Sequence, residues 1–230
     1  MKPLTWLKSE WLQLLILAAP FCAAALLWDK LPERLPIHWN YRGEIDGYAG
    51  KAFGTLFLPA VSVVLAGLLG FLPRLDPKCR NYDAETKASV AGVFRTCRLA
   101  MSLFLTMLSL ATLAVALQVP VNISRLVVGG LGGLLMVMGN SMGRLRPNYF
   151  AGFRTPWSLE SRTVWLKTHR LGGWLMLGCG VLLLLECPWL PVPVLVFAAL
   201  IPVVVFVGIV PAAYSYFCYR AEMRAAGKGQ

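Results

Sequence analysis

The sequence predicts an all-α polytopic membrane protein with six transmembrane helices, and three observations support that fold class. Of the 230 residues, 57% are hydrophobic and 14% are charged, whereas soluble domains carry roughly 25% charged residues. Six stretches contain no Asp, Glu, Lys or Arg. If each stretch crosses a bilayer once, 17 of the 22 Lys and Arg residues lie on one side. The uncharged stretches are Trp11–Trp28, Ala52–Pro73, Leu99–Ser124, Leu126–Gly143, Leu171–Leu185 and Cys187–Tyr219.

The sorting of the basic residues also predicts the orientation. Cytoplasmic loops of membrane proteins retain Lys and Arg. The basic side comprises the segment before the first stretch, residues 74–98, residues 144–170 and the tail from residue 220. We therefore expect both termini in the cytoplasm. The net charge of +11 then follows from retained loops, and no nucleic acid partner is needed to explain it.

The lengths of the stretches fit membrane spans, with two exceptions. A helix needs about 20 apolar residues to cross the hydrocarbon core. Leu171–Leu185 holds only 15 residues, and Cys187–Tyr219 holds 33. Prolines early in the second of these predict a loop followed by a helix from about Val192. The first stretch is too long for the hydrophobic region of a signal peptide, so we interpret it as the first span.

The fourth stretch is rich in glycine. Gly129 and Gly133 are four residues apart, as are Gly139 and Gly143, and small residues at this spacing let helix backbones approach closely. Tight packing inside the monomer is the expected use, and a homo-oligomer formed through residues 126–143 is the alternative. No span carries an ionisable group near its centre, which disfavours an ion-coupled transporter but leaves a channel open.

The chain divides into two units on this reading. Residues 1–75 form an N-terminal two-helix unit that includes an exported loop, residues 29–51. Residues 76–98 form a basic cytoplasmic loop, and residues 99–219 form a four-helix unit with a cytoplasmic loop at 144–170. Residues 220–230 are a cytoplasmic tail. The six cysteines include no C-x-x-C pair, so neither a disulfide framework nor a zinc site is indicated.

The exported loop has the pattern of a short β-hairpin. Residues 37–42 alternate between apolar and polar side chains, and Gly43 and Gly47 supply turns. A metal site or acid–base chemistry would need its histidine and carboxylates to converge. The alternative is that these groups bond to the loop backbone. The candidate binding residues are His38, Trp39, Asn40, Tyr41, Glu44 and Asp46.

The cytoplasmic loop predicts a short amphipathic helix that leads into the fifth span. Thr155 and Pro156 are typical of an N-cap and a first helical residue. The residues expected near one face are Trp157, Ser161, Val164, Trp165 and Thr168. One interpretation is an interfacial anchor held by tryptophan and anionic lipid; the other is a docking surface for a cytosolic partner. We expect His169 to be structural.

Two sequence motifs resemble a known family. RPNYFAGFRTPWSL over residues 146–159, followed by WLKTHRLGG over residues 165–173, resembles the signature of the SdpI family. LPIHWNYRGEIDGY over residues 35–48 resembles a domain of unknown function often found in the N-terminal half of the same proteins. The candidate residues in the cytoplasmic motif are Arg146, Pro147, Asn148, Phe150, Gly152, Arg154, Thr155, Pro156, Trp157, Trp165, Thr168, His169, Gly172 and Gly173.

The resemblance implies a bacterial plasma (inner) membrane protein of immunity and signalling. Its expected partners are the lipid bilayer, a secreted membrane-active peptide toxin outside and a small cytosolic repressor inside. The resemblance implies no enzyme, no catalytic residue, no metal and no cofactor. Two other functions stay open: a membrane-embedded enzyme that uses His38 with Glu44 or Asp46, and a passive transporter.

Overall fold

A computed structural model describes residues 3–227, and describes side chains from residue 10 onward. Within these residues six helical segments are long and apolar enough to cross a membrane, which confirms the predicted fold class. The spans are Glu10–Lys30, Lys51–Leu75, Ala84–Ala116, Ile123–Met142, Arg162–Glu186 and Val192–Ala225.

The secondary structure is almost entirely helical, apart from one antiparallel hairpin after the first helix. The hairpin strands and the short helices lie in the connections between spans. The helices are α1 (Pro3–Leu27), α2 (Lys51–Leu75), α3 (Pro77–Arg80), α4 (Ala84–Ala116), α5 (Ile123–Met142), α6 (Pro156–Glu160), α7 (Arg162–Glu186), α8 (Val192–Pro202) and α9 (Val210–Ala225); the strands are β1 (Arg34–Trp39) and β2 (Ile45–Gly50).

The third span differs from its prediction at both ends. α4 begins at Ala84, where the side chain of Asp83 accepts a hydrogen bond from the Thr86 amide and caps the helix. Most of the segment predicted as the basic loop 76–98 is therefore helical. The helix ends at Ala116, eight residues before the predicted Ser124, because Pro120 follows and Gln118 adopts a positive φ of 63°.

Close contact between glycines joins α5 to α7. A Cβ on Gly139 would lie 2.6 Å from the carbonyl oxygen of Gly173, and one on Gly180 would lie 2.5 Å from that of Gly132. On each helix the two glycines are seven residues apart, so both lie on the same face. The glycine-rich helix thus packs inside the monomer. Of the predicted glycines Gly139 makes this contact, whereas a Cβ on Gly133 or Gly143 would meet open space.

Polar side chains link α1 to α4. The amide of Gln13 donates to the hydroxyl of Ser102 at 2.8 Å, and Thr106 donates to the carbonyl oxygen of Ile16 at 2.9 Å. Near one end of the same interface Glu10 forms an ion pair with Arg98. Interhelical bonds of this kind hold membrane helices together where water is absent.

The last span is a bent, composite helix. α8 begins at Val192, as predicted, and is followed by a π-helical segment, Val203–Ile209, and by α9. Pro211 has no amide hydrogen and cannot close the usual bond to residue 207, so the helix widens before it. The segments of this span pack mainly against α7.

Candidate functional site

The hairpin is built around a tight turn at Asn40–Glu44. The side-chain oxygen of Asn40 accepts hydrogen bonds from the amides of Arg42 and Glu44, and Gly43 supplies the positive φ of 83° that the turn requires. The strands pair Pro36 with Tyr48 and Trp39 with Ile45, with an irregularity near His38. The predicted exported hairpin is therefore confirmed as a hairpin.

The hairpin carboxylates do not converge on His38 as a set. His38 Nδ1 lies 2.5 Å from a carboxylate oxygen of Asp46, and both side chains are well exposed. Glu44 instead accepts a bond from the side-chain amide of Asn40 at 3.0 Å. Among residues 3–227 there is no group of three His, Cys, Asp or Glu residues that could hold a metal ion.

The hairpin is fixed to the helices at its base and at its tip. Leu35 is fully buried at the base, and a Cβ on Gly54 of α2 would lie only 2.8 Å from its Cβ. At the tip Gly43 lies against Ser124 at the start of α5 and Val192 at the start of α8. The hairpin therefore covers one end of the bundle, which we call the hairpin end.

An apolar cavity of about 530 Å³ lies beneath the hairpin. Residues 37–41 of the hairpin form one side of it, and α2, α4, α5 and α8 supply its walls. Of the candidate residues, the cavity brings together His38, Trp39, Asn40 and Tyr41. Glu44 and Asp46 are exposed and lie outside this lining.

The opposite end of the bundle is covered by the loop between α5 and α7, residues 143–161, which we call the motif loop. Asn148 is fully buried in it. Its side-chain oxygen accepts bonds from the amides of Phe150 and Ala151, and its side-chain amide donates to the carbonyl oxygen of Arg146. One buried asparagine thus organises the first turn of the motif loop.

His169 organises the second turn of the motif loop from α7. It is buried, its Nδ1 donates to the carbonyl oxygen of Trp165 at 2.9 Å, and its Nε2 accepts from the amide of Phe153 at 3.0 Å. The neutral ring with hydrogen on Nδ1 satisfies both bonds. The ring also stacks on Trp165, with 3.9 Å between centroids. These contacts support the prediction of a structural histidine.

Two glycines of the motif make room for these rings. Gly152 has a φ of 94°, and a Cβ there would collide with His169 Nε2. A Cβ on Gly172 would collide with the ring of Phe153. Both glycines are required by close approach, and Gly152 also by its backbone conformation.

The short helix α6 begins as the sequence predicted. Thr155 caps it by accepting from the Ser158 amide at 3.2 Å, and Thr155 also bonds to Ser215 of α9. Trp157 packs against the ring of Tyr216 at a centroid distance of 5.1 Å. α6 is thus fastened to the last span.

The interpretation of this segment as an interfacial anchor is wrong for its second tryptophan. Trp165 has no exposed surface, and its indole nitrogen donates to the carbonyl oxygen of Leu145. Thr168 is likewise buried within the bundle. The aromatic spacing was typical of an interface, but the residues are part of the core. Asn148, His169, Gly172 and Gly173 are buried as well.

The remaining motif residues form the outer surface of the loop. Arg154, Phe150 and Pro156 are exposed, and Arg146, Pro147 and Trp157 are partly buried. The guanidinium of Arg154 donates to the carbonyl oxygen of Tyr149 at 2.8 Å, so an exposed cation is held beside two exposed aromatic side chains. These residues are the part of the motif that a partner can reach.

Sequence reasoning did not anticipate the connection after α2, which also contacts the motif loop. The buried carboxylate of Asp76 accepts from the Tyr149 amide, Lys78 donates to the carbonyl oxygen of Leu159, and Tyr82 donates to that of Pro147. A lone Asp before Pro77 carries no long-range signal, since it reads as a local helix cap.

Comparisons with known proteins match two regions of the chain. The family model described as the SdpI/YfhL protein family matches residues 144–215, and the domain of unknown function DUF1648 matches residues 15–63. "Immunity protein SdpI" of Bacillus subtilis (strain 168) is 27% identical over 177 residues, which is 77% of this chain and 80% of that protein. No solved structure matches the chain. The chain is therefore a multi-pass membrane protein that is similar to the SdpI/YfhL family over residues 144–215 and to DUF1648 over residues 15–63.

Proposed function

We propose that the protein confers immunity against a secreted, membrane-active peptide toxin. The observation that carries this proposal is the similarity to Immunity protein SdpI, which extends over 77% of the chain and 80% of that protein. An immunity relative favours a binding role over an enzymatic one. The geometry agrees, because Glu44 is bonded to Asn40 and leaves His38 with a single carboxylate partner.

We assign recognition of the toxin to the hairpin. Orientation by the excess of basic residues places it outside the cell. It carries an exposed His38–Asp46 pair and the exposed aromatic rings of Tyr41 and Tyr48 on a backbone fixed at both ends. A fixed backbone reduces the ordering cost of binding, so such a surface suits recognition of a peptide at the membrane.

The exposed face of the motif loop is the part that faces the cytoplasm. Arg154, Tyr149 and Phe150 combine a cation with aromatic side chains, a composition that protein interfaces favour. We assign to this face the recruitment of a small cytosolic repressor. Binding outside can change recruitment inside only if the toxin binds two states of the bundle with different affinity.

Survival of toxin-treated cells tests the proposal. Sensitive cells would express this protein, the B. subtilis relative as a positive control, or an empty vector, and would receive culture fluid that contains the toxin against which the B. subtilis relative protects. Protection by the wild type and its loss in His38→Ala would support the outer-face assignment. Arg34→Ala, on the same strand and exposed, serves as the matched control. Killing of wild-type and empty-vector cells at the same dose would remove the proposal.

Recruitment requires a separate measurement. A fluorescent fusion of any small helix-turn-helix repressor found to be encoded beside the gene would be followed by microscopy before and after toxin. Arg154→Ala is expected to leave the fusion in the cytoplasm, while Glu160→Ala, an exposed change on α6, does not. Survival and recruitment can fail independently, so the two halves of the proposal are separable.

A further inference from the structure

The cavity beneath the hairpin changes character with depth. Its floor and walls include Leu58 of α2, Leu108 of α4 and Val127 of α5, which are all apolar. Its polar side chains lie nearer the hairpin end: Thr112 is one turn closer to that end than Leu108, and Ser124 precedes Val127 on α5. The hairpin adds His38 and Asn40 above them.

The helix geometry places this cavity at the depth of one leaflet's upper acyl region. Leu108 lies eight residues from the end of α4, about 12 Å below it at a rise of 1.5 Å per residue. Val127 lies four residues into α5, about 6 Å below its start. The cavity therefore spans the boundary at which lipid headgroups give way to hydrocarbon.

Exposed aromatic residues of the spans lie next to the lining of the cavity. Phe57 is the sequence neighbour of the lining residue Leu58 on α2, and Phe197 is the neighbour of the lining residue Val196 on α8. Both phenylalanine rings are about half exposed within membrane spans. Tyr41 of the hairpin packs against Phe197 at a centroid distance of 6.2 Å. At Tyr41 the cavity wall therefore borders the outer face of the bundle, which the bilayer covers.

We propose that this cavity is a site for one acyl chain of a phospholipid from the leaflet at the hairpin end. The chain lies against the apolar walls, and the ester and headgroup region lies at the level of Thr112, Ser124 and the hairpin. The volume, about 530 Å³, is in the range of ligand pockets of roughly 300–1,000 Å³. The hairpin covers the polar end, so the chain enters sideways from the bilayer.

The test uses photocrosslinking in vesicles. Full-length protein is reconstituted in phosphatidylethanolamine and phosphatidylglycerol with a trace of phosphatidylglycerol that carries a diazirine in one acyl chain. After illumination, mass spectrometry locates the adducts. Adducts concentrated on the cavity walls, around Leu108 and Val127, are expected; adducts spread evenly over the lipid-facing surfaces would overturn the proposal.

Matched pairs of valine substitutions separate the site from general lipid contact. Val127→Phe fills the cavity and is expected to lower wall adducts about tenfold, the loss expected when roughly two methylene groups are displaced from an apolar site. Val137→Phe, exposed on the same helix, should change nothing. Val196→Phe and the exposed Val194→Phe repeat the comparison on α8, should one variant not fold.

The same experiment distinguishes a peptide occupant. Wall adducts that form only with a photolabelled membrane-active peptide, and never with the labelled lipid, would overturn the lipid assignment. The proposal does not depend on the immunity function, because lipid adducts are measured without toxin and without living cells.

Discussion

The carboxylate of Asp76 accepts a hydrogen bond from the backbone amide of Tyr149 at 2.6 Å. The two residues are 73 positions apart, and one follows α2 whereas the other lies in the motif loop. The second carboxylate oxygen accepts from the Lys78 amide, and the side chain is almost fully buried. Asp76 thus connects the segment that follows α2 to the motif loop.

Replacing Asp76 tests this connection. Asp76→Ala removes two bonds to a charged acceptor, each contributing about 1.5–3 kcal/mol, and leaves the part-buried amides of Lys78 and Tyr149 without this partner. We expect a clear drop in the melting temperature of the purified protein, measured by intrinsic fluorescence. Asp83→Ala removes only an exposed helix cap and should lower the melting temperature less than Asp76→Ala does. Equal losses in the two variants would contradict the assignment.

Gly152 is predicted to tolerate no side chain. Gly152→Ala combines a positive φ, which costs about 1–3 kcal/mol, with a collision against His169. The yield of folded protein should fall, as measured by size-exclusion chromatography. Gly143→Ala is the control: it lies at the start of the same loop with a φ of −64° and open space around its Cβ. Loss of folded protein in both variants would refute the role given to Gly152.

Cys79 is predicted to be unreactive in the folded protein. Burial, aided by the nearby negative charge of Asp76, raises the pKa of its thiol to about 11. At pH 7.5 the thiol is protonated, and the thiolate is the form that reacts. In a variant with Cys79 as its sole cysteine, N-ethylmaleimide should add no mass until detergent denaturation. A sole cysteine at the exposed neighbour Asn81 should react at once.

The orientation of the spans is a prediction from charge alone. With all six native cysteines replaced, Arg42→Cys in the hairpin should react with a membrane-impermeant maleimide in intact cells. Glu160→Cys in the motif loop should react only after permeabilisation. Both positions are exposed, so accessibility to solvent does not bias the comparison. Labelling of the two positions from the same side would overturn the predicted topology.

Adding a side chain between α5 and α7 at their glycine contact is expected to destabilise the bundle. Gly139→Ala places a methyl group 2.6 Å from the Gly173 carbonyl oxygen, and overpacking of this kind costs about 1–3 kcal/mol. Gly133→Ala on the same helix meets open space and serves as the control. Thermal melts in one detergent compare the two. A lower melting temperature for the Gly133 variant than for the Gly139 variant would contradict the observed packing.

The sequence was sufficient to predict the elements whose signal is local. Stretches without charged residues predicted the six spans, and the alternation of apolar and polar side chains predicted the hairpin. Thr155 before Pro156 predicted the start of α6. The limits of α4 were missed because charge marks the membrane boundary and not the end of a helix. Its first turns continue outside the apolar run under the cap of Asp83, and its last turn ends within it.

The site was harder to predict because its residues meet through tertiary contacts. Trp165 has the spacing of an interfacial aromatic residue, and only the path of the motif loop buries it against His169. Likewise, the four-residue glycine spacing predicted Gly129 with Gly133 and Gly139 with Gly143, of which Gly139 lies at the α5–α7 contact. The contact that forms depends on α7, whose own glycines, Gly173 and Gly180, decide which face of α5 is used.

The glycine pairs of α5 and α7 also limit how this protein can evolve. Elsewhere in a core, a larger residue on one helix can be matched by a smaller one on its partner. In the pairs Gly132–Gly180 and Gly139–Gly173 both residues already lack a side chain, so no smaller residue on one helix can compensate for a larger one on the other. We therefore expect lineages to keep these four positions fixed while Gly133 drifts freely to alanine or serine.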